Sequence, residues 1–121
     1  MSKKVLFIDD EVDILEAVKM LLENEGFEVK TVSDINSAKE VIDYMPDIIL
    51  TDVLLSKKTA EDICKILKED SMIKNIPVIL LSAQSLPKLL ETVKRSGARD
   101  YLQKPFEIDD LTSLIKKHLK S

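Results

Sequence analysis

Short apolar runs punctuate the chain at nearly regular intervals: Val5–Ile8, Ile48–Leu50 and Val78–Leu81, with weaker ones at Val29–Val32 and at Tyr101 and Leu102. Uninterrupted runs of about four residues, rich in Ile, Leu and Val, predict strands buried on both faces, whereas a half-exposed strand would alternate. Between them lie stretches of helical period with recognisable ends. The first follows Asp9, Asp10 and Glu11 and stops at Gly26, which suits the left-handed position past a helix end. The second is expected to begin near Ser33 and Asp34 and to stop before Pro46. The third opens on Thr59, Ala60, Glu61 and Asp62, a capping-box pattern with Asp in place of Glu. The fourth follows Ser85, carries Pro87 in its first turn and ends at Gly97. The fifth follows Pro105 and Phe106 and gathers Leu111, Leu114, Ile115 and Leu119 on one face.

Five strands alternating with five helices imply an α/β fold, with a parallel sheet, right-handed crossovers and helices on both faces. Ligands of such open sheets bind beyond the carboxyl ends of the strands, at the point where the strand order reverses. Function is therefore sought in the residues that follow each strand.

Length and composition narrow the classes. The 121 residues are enough for one domain, 1–121, with its core expected in 4–119, and 45% hydrophobic against 33% charged residues is the balance of a globular chain. A net charge of −4 argues against nucleic acid or an anionic membrane as partner, since both require clustered cations. The basic tail Lys116, Lys117, His118 and Lys120 fits the negative end of a helix dipole, and the isolated His118 is not read as a phosphoacceptor. A lone Cys64 can form neither an internal disulfide nor a thiolate metal site, which agrees with a reducing cytoplasm; beside Ile63 and Leu67 it reads as a core residue. The opening Met1, Ser2, Lys3 and Lys4 precedes only four apolar residues, too few for a signal sequence. A cytoplasmic chain is expected.

The strand ends carry the chemistry. Asp9 and Asp10, with Glu11 behind them, follow the first strand; Thr51 and Asp52 end the third; Ser82 and Ala83 end the fourth; Lys104 and Pro105 follow the fifth. Any one of these is an ordinary cap or turn residue. Together they place several carboxylates at one edge, where mutual repulsion raises a pKa or costs stability unless a cation offsets it. Oxygen donors with no nearby His or Cys favour a hard cation, and a small cluster that leaves room for water and phosphate oxygens favours Mg2+. A remaining carboxylate is then free to act as a nucleophile toward phosphorus, with charge on the phosphoryl oxygens neutralised by the metal, by Lys104 and by a hydrogen bond from Ser82.

The set Asp9, Asp10, Asp52, Ser82, Ala83, Lys104, Pro105 and Phe106, in this order and at these strand ends, resembles the receiver domain of two-component response regulators, and the likeness runs from Lys4 to about Leu119. The resemblance implies a flavodoxin-like receiver fold, doubly wound, with strand order 2-1-3-4-5. It implies that Asp9, Asp10, Asp52 and the backbone carbonyl of Leu54 hold Mg2+, and that Asp52 takes the phosphoryl group from a histidine kinase or a histidine phosphotransfer protein. Lys104 and Ser82 would contact that group, the Lys104–Pro105 bond would be cis, and Ser82 and Tyr101 would report the state to a downstream target or an output domain. A protein of this kind phosphorylates itself and loses the group slowly, and does not turn over a separate substrate. Many relatives carry Pro where this chain has Ser56 and Gly where it has Ala60, so the loop after Asp52, with Lys57 and Lys58, bears on the lifetime of the modified state.

A receiver fold kept only as a phosphorylation-independent interaction module is the main rival, opposed by the intact set of mutually repelling acids. A flavin or nucleotide protein would need Gly-rich phosphate loops, and this chain has two glycines, both at helix ends. A hydrolase would need a Ser–His pair. On the first helix, Ile14, Leu15, Ala17, Val18, Leu21 and Leu22 spread over roughly 160°, wider than the stripe of about 100° that packing requires. The flank of Ile14 and Ala17, with Pro105 and Phe106, is read as the kinase-docking surface. The output surface would be the fourth helix, fifth strand and fifth helix, with Lys88, Glu91, Arg95 and Tyr101. Ile14→Glu is expected to slow transfer from a cognate phosphohistidine donor and to leave transfer from acetyl phosphate intact, and an equal loss with both donors would exclude docking at this flank.

Overall fold

The computed structural model of the protein describes residues 2–119; Met1 and Lys120, which figured in the terminal readings above, lie outside the described residues. Its elements are β1 (Lys4–Ile8), α1 (Val12–Asn24), β2 (Glu28–Val32), α2 (Ala38–Tyr44), β3 (Ile48–Asp52), α3 (Ala60–Lys68), β4 (Val78–Ser82), α4 (Leu86–Ser96), β5 (Asp100–Gln103) and α5 (Ile108–Leu119). All strand pairs are parallel and the order is β2-β1-β3-β4-β5. Each apolar run thus became a strand, and the three with continuous Ile, Leu and Val occupy the centre. That placement follows from their composition, because only central strands lose water on both faces.

Strand alternation sends the apolar residues into two cores. Val5, Phe7, Ile48, Leu50, Ile79 and Leu81 meet Leu15, Val18 and Leu22 of α1 and Leu111 and Ile115 of α5. Leu6, Ile8, Ile49, Val78 and Leu80 meet Val41 of α2, Ile63, Cys64 and Leu67 of α3 and Leu89 of α4. Cys64 is buried there and its thiol is pushed up by that burial, against the opposing pull of Lys68. Among the described residues no helix is long and apolar enough to cross a membrane.

Most helix ends fall where their residues predict. Thr59 accepts from the Asp62 amide and donates its own amide to the Asp62 carboxylate at 3.0 Å, a complete capping box. The bond from the Thr59 amide holds the Asp62 carboxyl below its ordinary range. Gly97 ends α4 at φ +80°, and its missing Cβ leaves room for Lys68, whose Nζ donates to the Ser96 carbonyl at 2.8 Å.

The start of α2 differs from the expectation at Ser33 and Asp34: the helix begins at Ala38, with Ser37 as its N-cap. Ile35 is the reason. Its side chain is buried in the α2–α3–α4 core, and the backbone from Ser33 to Ser37 stays non-helical. Asp34 spends its carboxylate on the Ile35 amide (2.8 Å) and on Lys58 (3.2 Å), leaving it no part in capping. At the other end of the chain, His118 Nε2 lies 2.8 Å from Asp100 Oδ2, tying the last turn of α5 to the start of β5. Burial alone would raise the Asp100 carboxyl, but the bonds from His118 and the Tyr101 amide and the charge of Lys117 hold it below its ordinary value. Thr59→Ala removes the capping box and is expected to lower stability by about 1 kcal/mol, a drop in Tm of roughly 4 °C in a domain of this size, to be read by thermal unfolding.

Candidate functional site

The strand order reverses between β1 and β3, where Ile8 is in register with Thr51. Asp9 and Asp52 therefore leave neighbouring strands at the same level, and the turns that follow cannot carry them apart. Asp9 is fully buried and half-bound by backbone: its amide donates to the Val32 carbonyl at 3.1 Å, and its Oδ1 accepts from the Glu11 amide at 3.0 Å. Asp52 is partly buried, and its Oδ1 faces the Leu54 amide at 3.5 Å.

Lys104 closes the site from the far side of the sheet. Its amide donates to the Ser82 carbonyl at 2.8 Å, which continues the β4–β5 ladder past Gln103. The cis bond to Pro105 follows. Lys104 Nζ then reaches Asp52 Oδ2 at 3.1 Å and Asp9 Oδ2 at 3.3 Å. Burial by itself would lower the Lys104 pKa, but the charges of Asp52 and Asp9 and the bonds to them outweigh it and hold the ammonium above its ordinary range.

Carboxylate oxygens of Asp9, Glu11 and Asp52 lie within 4.8 Å of one another. This hard, all-oxygen donor set fits Mg2+. Asp10, expected among the ligands, stands outside that group, and its Oδ2 accepts from the Ser56 amide at 2.6 Å. Glu11, placed behind the pair in the sequence, stands within it. Leu54 pairs with Thr59 in an isolated antiparallel bridge whose hydrogen bonds run from Leu55 to Lys58 and from Ala60 to Val53. No donor among the described residues takes the Leu54 carbonyl, the atom expected on the metal.

Ser82 is buried at the end of β4, and its Oγ accepts from the Gln84 amide at 3.0 Å, which leaves the hydroxyl hydrogen to donate elsewhere. Tyr101 is half-buried against the α2–α3–α4 core, on the same sheet face as Ser82 by alternation. Ile14, Ala83, Lys104, Pro105 and Phe106 line an open groove of about 380 Å³ beside the acids. Ala17, expected with them, is exposed but is not part of that lining. Lys58, read above as a charge beside the site, is instead engaged: it binds Asp34 at 3.2 Å and the Ile35 carbonyl. Nothing local links positions 34 and 58, so this pairing is not legible along the chain.

Residues 5–116 match the response regulator receiver domain. The chain is 38% identical to a heme response regulator, HssR, of Staphylococcus saprophyticus over 116 residues, covering 95% of this chain and 50% of that protein. It is 33% identical to the phosphate regulon transcriptional regulatory protein PhoB of Klebsiella pneumoniae over 117 residues, covering 96% of this chain and 51% of that one. The chain thus spans about half the length of these curated relatives. Among solved structures, the Vibrio cholerae chemotaxis protein CheY4 superposes with a TM-score of 0.90 at 28% identity, covering 98% of this chain and 100% of that one.

Lys104→Met leaves the acids of the site without their cation and is expected to cost roughly 1–2 kcal/mol at neutral pH, discounted from a fully buried pair because Asp52 and Lys104 retain some exposure. Since the folded Lys104 pKa is raised above 10.5, its contribution is complete below pH 10.5 and disappears as pH rises through the folded value. Denaturant unfolding of the two proteins should therefore show their stabilities converging above pH 10.5, and a gap that does not shrink there would refute this assignment.

Proposed function

The chain belongs to the response regulator receiver domain family of two-component signal transduction, and from that premise we propose that it accepts a phosphoryl group on Asp52 and so switches a protein-binding surface. The observation that carries the reading is the grip of Lys104 on both Asp9 and Asp52 at 3.3 and 3.1 Å, beside a third carboxylate. A fold has no structural need to bury Asp9 next to other acids; an electrophilic phosphoryl group with three anionic oxygens does need cations held at that point. Retention of the whole set disfavours the phosphorylation-independent module.

In the proposed reaction an Asp52 carboxylate oxygen attacks the phosphorus of a phosphohistidine donor. The O–P bond forms as the N–P bond breaks, and the imidazole leaves with the electron pair and takes a proton from solvent. Lys104, already paired with Asp52, follows the charge onto the phosphoryl oxygens. The Ser82 hydroxyl, buried on the neighbouring strand, donates its free hydrogen to one of them. Mg2+, held by Asp9, Asp10, Asp52 and the Leu54 carbonyl, would neutralise further phosphoryl charge, with Glu11 close enough to join through water. Withdrawal of Ser82 and Lys104 toward the phosphoryl group alters the end of β4 and the start of the β5–α5 connection, which biases the half-buried Tyr101 beside them. Such a bias can only favour one of two pre-existing arrangements.

The donor is a histidine kinase or a histidine phosphotransfer protein, seated at the Ile14, Pro105 and Phe106 groove with Ala17 at its margin. The reader is a target protein or an output domain, engaging α4, β5 and α5, where Leu86 and Leu90 are exposed and Arg95 pairs with Glu61 and Glu91. This reading includes a cytoplasmic setting. Incubation with acetyl phosphate and Mg2+ is expected to give one phosphoryl adduct by intact mass on the wild type and none on Asp52→Ala; no adduct on the wild type, or the same adduct on both, would overturn the assignment of Asp52.

A further inference from the structure

The loop between β3 and α3 does more than connect them, because it grips Asp10. The Ser56 amide donates to Asp10 Oδ2 at 2.6 Å, a solvent-exposed bond to a charged acceptor. The amide is fixed in place by its surroundings. The Leu54–Thr59 bridge pinches the loop from within, with bonds of 3.0 Å from Leu55 to Lys58 and 2.9 Å from Ala60 to Val53. From outside, Lys58 reaches over to Asp34 at 3.2 Å and to the Ile35 carbonyl, and the Lys58 and Asp34 side chains are only 17% and 15% exposed. Asp34 in turn follows Val32, whose carbonyl accepts the Asp9 amide at 3.1 Å. The contacts form a closed ring from Asp9 through Val32, Asp34, Lys58 and Ser56 to Asp10.

The effect of this ring is seen in the carboxylates. Asp9, Glu11 and Asp52 share a space of 4.8 Å, while Asp10 stands outside it with one oxygen bound to Ser56. We propose that the Ser56 backbone amide is a positioning group that holds Asp10 aside, so that capture of a divalent cation by Asp10 proceeds at the expense of this bond and metal affinity is set lower than the acids alone would give. The inference rests on reading Asp9, Asp10 and Asp52 as the Mg2+ site. Lys58 acts only through the loop: the strap it forms keeps the amide aimed and touches no acid of the metal group.

The bond can be removed at the backbone. Ser56→Pro has no N–H to donate, whereas the conservative Ser56→Ala keeps it. Calorimetric titration with Mg2+ is expected to show about tenfold tighter binding by Ser56→Pro than by wild type, the scale of a hydrogen bond to a charged group, with Ser56→Ala at the wild-type value. The same titration of the wild type followed by NMR is expected to shift the Ser56 amide proton upfield and speed its exchange with solvent as the cation saturates, and it decides the matter should Ser56→Pro fail to fold. Binding by Ser56→Pro no tighter than by Ser56→Ala, or a Ser56 amide unmoved through the titration, would overturn the proposal. If none of the three proteins binds Mg2+, the metal-site reading falls and this inference with it.

Discussion

Several acids crowd one end of the sheet, and the ammonium of Lys104 lies between two of them. Like charges at this spacing repel strongly where water is scarce, and Asp9 has no solvent exposure with which to relieve that repulsion. A cation on a long stem, anchored by its own backbone to Ser82, supplies the relief from the opposite side of the site. The same feature suits the proposed chemistry, because acids that require positive charge beside them form a hard, all-oxygen donor set of the kind that fits Mg2+.

The fold exists to keep that pocket in place. Three central strands with apolar side chains on both faces fix the level at which Asp9, Asp52 and Ser82 leave the sheet. The helices on either face bury those strands without covering their carboxyl ends. Because β1 and β3 are neighbours while their connections run to opposite sides, a cleft opens between them with no element crossing it. The β3–α3 loop lies on its rim, bound to Asp10 on one side and to Asp34 on the other. Where a proline would have offered no donor, Ser56 offers one, and the acid nearest to hand takes it. The serine at this position, by keeping its N–H, thus supplies Asp10 with a backbone partner.

Sequence and structure part company at long-range side-chain pairings. Asp34 suits the start of a helix, yet Ile35 is buried, α2 begins only at Ala38 and the Asp34 carboxylate goes to Lys58. Lys58 reads as a charge on the loop beside Asp52, and its pairing with Asp34 is hidden because that partner is 24 positions away and carries no local signature. His118 reads as a cation at a helix end, and its bond to Asp100 depends on where α5 lies against β5. In chain order Glu11 stands behind the aspartate pair, but the turn after β1 brings it into the group and leaves Asp10 outside.

The order and type of the elements, the central position of three strands, the capping of α3 and the gathering of Asp9, Asp52, Ser82 and Lys104 at the strand ends were all determined by the sequence itself, because each depends on local periodicity or on a residue at a strand end that the parallel topology then brings together. The direction in which each carboxylate points was decided only by the tertiary structure. An aspartate side chain turns toward whichever donor is nearest, and the donors here, the Ser56 amide and the Lys104 ammonium, arrive from segments that the chain order alone does not place within reach.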